Sequence, residues 1–128
     1  MSVELNHTIV HARNDEESAR FLAHILGLEV GPRTGRFLPV VTANGVALDF
    51  AATAAESIAT QHYAFLVSDE EFDAAFARIR QAGITFYADP QGRQKGEINH
   101  NHGGRGLYFL DPSGHWMEIL TRPYGNNG

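Results

Sequence analysis

Polar and apolar positions follow two different periods along this chain. The polar run Asn14-Asp15-Glu16-Glu17 gives way to Phe21, Leu22, Ile25 and Leu26, which recur at helical spacing until Gly27. The spacing predicts a helix capped by Asn14, with Glu17 placed to bond back, and stopped by a glycine that tolerates left-handed backbone. The same pattern returns at Ser68-Asp69-Glu70-Glu71, with Phe72, Ala75, Phe76 and Ile79 as the apolar stripe and Gly83 as the stop. The two stop glycines lie 56 positions apart (83 − 27).

A strand pattern precedes each helix: Leu5 to Val10, which contains His7, and His62 to Val67. These histidines are 55 positions apart (62 − 7). Each helix is followed by strands that end in a hairpin. In the first half, Phe37 to Thr42 turns at Asn44-Gly45 into Val46 to Phe50; in the second, Gly106 to Leu110 turns at Asp111-Pro112-Ser113-Gly114 into His115 to Thr121. Both turns have suitable chemistry. One more strand per half is expected near Leu28-Glu29-Val30 and Thr85-Phe86-Tyr87. The chain therefore reads as a duplicated β-α-β-β-β module. Module one covers about 4–52, an Ala/Thr/Ser-rich linker about 53–60, and module two about 61–123. The expected fold class is α+β.

Composition narrows the function. The 128 residues fit a single domain built of two modules, and 43% hydrophobic residues suffice for a core. A net charge of −5 gives no footprint for nucleic acid. No apolar run is long enough to span a membrane, and the start Met1-Ser2-Val3-Glu4 does not read as a signal peptide. A cytoplasmic location is expected. There are no cysteines but 7 histidines, so a transition-metal site must be built from imidazole and carboxylate.

The duplication places such groups at matching points. His7 and His62 lie on the first strand of each module; Asp49 follows Gly45 by four residues, as Glu118 follows Gly114. Strand alternation puts His62, Ala64 and Leu66 on one face and Tyr63, Phe65 and Val67 on the other. It sets Asp49 between Ala47 and Ala51, and Glu118 on the face of Trp116 and Leu120. Two imidazoles and one or two carboxylates suit Fe, Mn, Ni, Co or Zn as a divalent ion, without choosing among them. Each residue also has a plainer reading: a hydrogen-bonded strand histidine, a salt-bridging aspartate, a rim glutamate.

Several segments carry a family resemblance. Leu5-Asn6-His7-Thr8-Ile9-Val10 resembles the opening strand of the vicinal oxygen chelate superfamily, which holds glyoxalase I, bleomycin-resistance proteins, fosfomycin-resistance enzymes and extradiol dioxygenases. Phe21 to Leu28 resembles their helix end, with Leu22 where Tyr is usual. Gln61 to Phe65 and Leu107 to Glu118 are similar to the second module of the fosfomycin-resistance thiol transferases. The resemblance implies two βαβββ modules forming a curved sheet around a metal cleft, a small-molecule substrate and a homodimer. It implies His7, His62 and Glu118 as metal ligands. Asp49 falls where glyoxalase I has a Glu, one methylene longer, and reads as a fourth ligand or a base. Tyr108 matches a substrate-contacting Tyr of the fosfomycin enzymes. Their Thr two residues after the first ligand is Ile9 here, and their phosphonate-binding cluster has no counterpart, so fosfomycin is not the expected substrate.

The loop Gly96 to Gly106 is polar and glycine-rich. It reads either as a surface loop or as a substrate lid with His100 or His102 as acid/base and Arg105 as an anion clamp. His11 shares the His7 face and reads as a supporting group, a base or a solvated strand end; Trp116 is a further substrate-side candidate. The expected function is a divalent-metal-dependent enzyme on a small oxygen-bearing substrate, by glyoxalase-like isomerisation or by addition of thiol or water. The rivals are a single-domain dioxygenase, a non-catalytic binder of the bleomycin-sequestering kind, and an accessory dimer without a ligand.

Overall fold

The computed structural model describes residues 3–124. Its elements run β1 (His7–Ala12), α1 (Asp15–Leu26), β2 (Leu38–Val41), β3 (Ala47–Ala52), β4 (His62–Leu66), α2 (Asp69–Gln81), β5 (Gly106–Leu110) and β6 (Trp116–Leu120), with a short 3-10 turn at Asn101–Gly103 before β5. The class is α+β. The chain divides into two compact units between Ala59 and Thr60.

In the first unit the sheet order is β1-β3-β2, with β1 parallel and β2 antiparallel to β3. One face carries Val10, Ala12, Leu38, Val40, Leu48 and Phe50, all buried. They share this core with Leu22, Ala23 and Ile25 of α1, the helix that contacts all three strands. The opposite face carries His7, Ile9, His11, Asp49 and Val41. Asn14 caps α1 by accepting from the Glu17 amide at 3.0 Å, and Gly27 ends it at φ 71°. Arg13 ties down the segment after β3 by donating to the backbone carbonyls of Thr53, Ala55 and Glu56.

The second unit repeats the arrangement, with order β4-β6-β5, β4 parallel and β5 antiparallel to β6. Its buried set is Phe72, Ala75 and Ile79 from α2 with Leu107, Phe109, Met117 and Ile119 from the sheet. Ser68 and Glu71 form a full capping box at the start of α2. The helix ends at Gln81, and Gly83 takes a positive φ of 70° just beyond it.

Both units have three strands where the sequence predicts four. In place of the fourth stand isolated bridges: Val30 to Val40 in the first unit, and Tyr87 to both Tyr108 and Lys95 in the second. Proline explains the shortfall. Pro32 and Pro90 follow closely, and neither has an N–H with which to extend a ladder. In the second unit the chain also turns away at once, where Asp89 accepts the amides of Arg93 and Gln94.

Candidate metal centre

In the second unit, β-register brings a set of polar groups to one sheet face. Ala64 stands beside Glu118, and Tyr108 stands beside Glu118 from the other side. His62 pairs with Trp116 and so lies one pair along from Glu118 on the same face. His62 Nε2 reaches Glu118 Oε1 at 2.9 Å. The other carboxylate oxygen, Oε2, accepts the Tyr124 hydroxyl at 2.5 Å. A hydroxyl has one hydrogen, and that of Tyr124 goes to Glu118. Tyr108 therefore donates in its 2.9 Å contact with the Tyr124 oxygen. The His62 and Tyr108 rings lie 5.8 Å apart, and the His102 and Tyr124 rings 5.1 Å apart.

Burial decides the electrostatics. Glu118 is 1% exposed, on a strand between apolar residues. A buried carboxylate is costly unless it is bonded or paired. Burial first, and then hydrogen bonding to Glu118, push the Tyr124 hydroxyl above the ordinary phenol value. Burial also raises Tyr108. Both phenols thus stay protonated near neutral pH and act as donors.

The pair fits a divalent ion. Imidazole nitrogen and carboxylate oxygen form the mixed donor set that Fe, Mn, Ni, Co and Zn accept. Two atoms each bound to one ion at about 2.1 Å, at a right angle, stand about 3.0 Å apart. Nε2 and Oε1 have that spacing. Such an ion would also balance the buried negative charge. Among the described residues, no three His, Cys, Asp or Glu side chains form a metal-sized group.

The other candidates fall in several places. His7 is exposed on β1; its Nδ1 is 2.8 Å from Asn6 Oδ1, so an Nδ1–H there leaves the Nε2 lone pair for a ligand. His11 and Asp49 share that face of the first unit, with Asp49 in register with Ile9. His100 is exposed ahead of the 3-10 turn, and His102 within it has a positive φ of 58°. Trp116 meets Tyr87 edge to face at 5.5 Å. Arg105 bonds to Asp73 at 2.7 Å and Asp69 at 3.1 Å, with its guanidinium 4.5 Å from the Phe72 ring centroid. Its charge is engaged by α2. Sequence reasoning missed Tyr124. The residue lies beyond β6, so strand alternation gives it no face.

The Glyoxalase/Bleomycin resistance protein/Dioxygenase superfamily description matches residues 4–119. The chain belongs to this superfamily. It is 32% identical over 126 residues to the glutathione transferase FosA of Serratia marcescens, covering 93% of this chain and 81% of that protein. It is 26% identical over 123 residues to the metallothiol transferase FosB of Shouchella clausii (strain KSM-K16), covering 91% and 79%. The solved structure of the oxidase ChaP-H2 superposes with a TM-score of 0.96 at 61% identity, covering all of both chains. The expected superfamily and the glyoxalase-like α+β fold are thus borne out. These relatives are named as enzymes, and the chain is an enzyme of the same superfamily. Among the described residues, no helix is long and apolar enough to cross a membrane.

Proposed function

We propose that this chain is a divalent-metal-dependent oxidase that acts on a small oxygen-bearing substrate. The observation that carries the metal is the 2.9 Å approach of His62 Nε2 to the buried Glu118 carboxylate on the substrate-side sheet face. The likeness to oxidase ChaP-H2 over the whole of both chains supports oxidation as the reaction class.

In this reading His62 and Glu118 hold the ion, with His7 as the third ligand that the superfamily resemblance implies. Asp49, in the first unit, serves as a fourth ligand or as a base. When bound at His62 and Glu118, a redox-active ion of this set such as Fe or Mn would supply polarisation of substrate oxygens and a path for electrons to dioxygen. The chain's own groups do the positioning. The Tyr108 hydroxyl, beside Glu118, spends its hydrogen on Tyr124 and offers its lone pairs to a substrate hydroxyl, which it orients as an acceptor. Tyr87 and Trp116, packed edge to face, wall the same face and shelter it from water.

A second reading is addition of a thiol, favoured by the 32% identity to a glutathione transferase. Metal-loaded protein separates the two. Dioxygen uptake with catechol substrates supports the oxidase, whereas thiol consumption with epoxides and no dioxygen uptake supports the transferase. Failure to take up Fe(II), Mn(II), Ni(II), Co(II) or Zn(II) at micromolar concentration sinks both, and small-molecule sequestration takes their place.

A further inference from the structure

The segment after β6 is built against the metal face. Thr121 bonds to Arg105 twice, through its backbone N–H to the Arg105 carbonyl and through its hydroxyl from the Arg105 N–H, each at 2.9 Å. Gly104 makes room for it: a Cβ there would stand 2.5 Å from Thr121 Oγ1 and 2.6 Å from Arg122 Cγ. Any larger residue at 104 would therefore push the Thr121 and Arg122 side chains aside. With its start fixed, the chain runs through Pro123, which restricts the backbone, to Tyr124. The Tyr124 ring lies beside His102, and its hydroxyl reaches Glu118 Oε2. The residue is 51% exposed, yet its polar end is directed into the sheet face.

We propose that Tyr124 is a positioning residue for the metal ligand Glu118, holding Oε2 in a hydrogen bond so that the carboxylate offers the ion Oε1 alone. This rests on the metal-dependent reading above. An unrestrained carboxylate can rotate and can bind through one oxygen or two. A donor on Oε2 removes that freedom and turns Oε1 toward His62, the neighbouring ligand. Tyr108 extends the chain of donors, so the group that orients substrate and the group that fixes the ligand are bonded to each other. Partners of this kind, one bond removed from the ion, typically contribute about 10- to 100-fold to metal affinity.

The test is Tyr124→Phe, which keeps the ring and its contact with His102 and deletes only the hydroxyl. Titration of metal-free protein with Mn(II), followed by calorimetry, is expected to show affinity reduced about tenfold or more. The thermal midpoint of the metal-free protein should stay near wild type. Infrared spectra of the Mn(II)-loaded proteins give a second readout. The splitting between the carboxylate stretches should narrow in the variant as Glu118 turns to bind through both oxygens. Equal Mn(II) affinity and an unchanged carboxylate splitting in wild type and variant overturn the assignment of Tyr124 while leaving the metal site standing. No Mn(II) binding by the wild type itself overturns the metal-dependent reading instead.

Discussion

His62 lies in register with Trp116 on the neighbouring strand, yet its imidazole bonds to Glu118, two residues further along. This diagonal contact sets a nitrogen and an oxygen on one face at the spacing of neighbouring metal ligands. His62→Ala removes one of them and should abolish metal uptake. Mixing adds a sharper measurement. If His7 acts across a dimer, His7→Ala and His62→Ala chains are each metal-free, but their heterodimer keeps one intact site. Random mixing then restores about a quarter of the wild-type metal content. No recovery after subunit exchange would place both histidines in the service of the same copy.

Arg105 spans β5 and α2. Its ion pairs with Asp69 and Asp73 are exposed on the acid side, at 77% and 67%, so each is weak. The guanidinium over Phe72 adds a further contribution. Arg105→Ala should lower stability by about 1 kcal/mol, a shift of a few degrees in Tm, with turnover per folded molecule retained. A variant with wild-type Tm and lost turnover would show that Arg105 serves the substrate and not α2.

The capping box at Ser68 is complete, with the Glu71 amide donating to Ser68 Oγ at 3.1 Å and the Ser68 amide donating to the Glu71 carboxylate at 2.8 Å. Ser68→Ala should destabilise by about 1 kcal/mol in denaturant unfolding. Ser68→Gly should cost less than Ser68→Ala despite the same loss of the hydroxyl. The reverse order would mean that the side chain contributes through packing.

Acid should reveal the Asp15–Arg33 pair. Arg33 Nη1 donates to Asp15 Oδ2 at 2.8 Å, and this bond holds the Asp15 carboxyl below its ordinary value. A carboxylate depressed in the folded state stabilises the fold where it is ionised. Its contribution is complete above the unfolded value of about 3.9 and fades as pH falls through the lower folded value. Arg33→Gln should therefore lose only a little stability at neutral pH, since the Arg33 side chain is exposed and the pair is screened. The gap from wild type should close in strong acid. A gap that persists at low pH would assign the loss to packing.

The features written locally in the sequence were legible. Asn14, Ser68 and Gly27 do in the structure what their spacing implies. Strand alternation grouped His62 with Ala64 and Glu118 with Trp116, but only the β4–β6 register puts the two on one face and within bonding distance. The fourth strands were overestimated because Tyr87 and Val30 have strand chemistry while nearby prolines keep their pairing to isolated bridges. Arg105 in a polar loop suggested a ligand clamp, but its partners on α2 are more than thirty residues earlier in the chain, where loop composition gives no hint of them. Tyr124 was invisible for a related reason. It reaches Glu118 by a fold of the chain beyond the last strand, and no periodicity describes such a return.

In each unit the histidine-bearing strand pairs only with the strand that finishes the unit: His7 lies beside Ala47, 40 residues later (47 − 7), and His62 beside Trp116, 54 residues later (116 − 62). Contacts so distant in sequence close slowly. As the chain leaves the ribosome, each imidazole is made early and has no sheet to hold it until its unit is nearly complete. A nascent or truncated chain thus owns the histidine without its address. If the chain takes up metal as proposed, only finished molecules can load it, because the last strand of a unit is the one that sets the first in place.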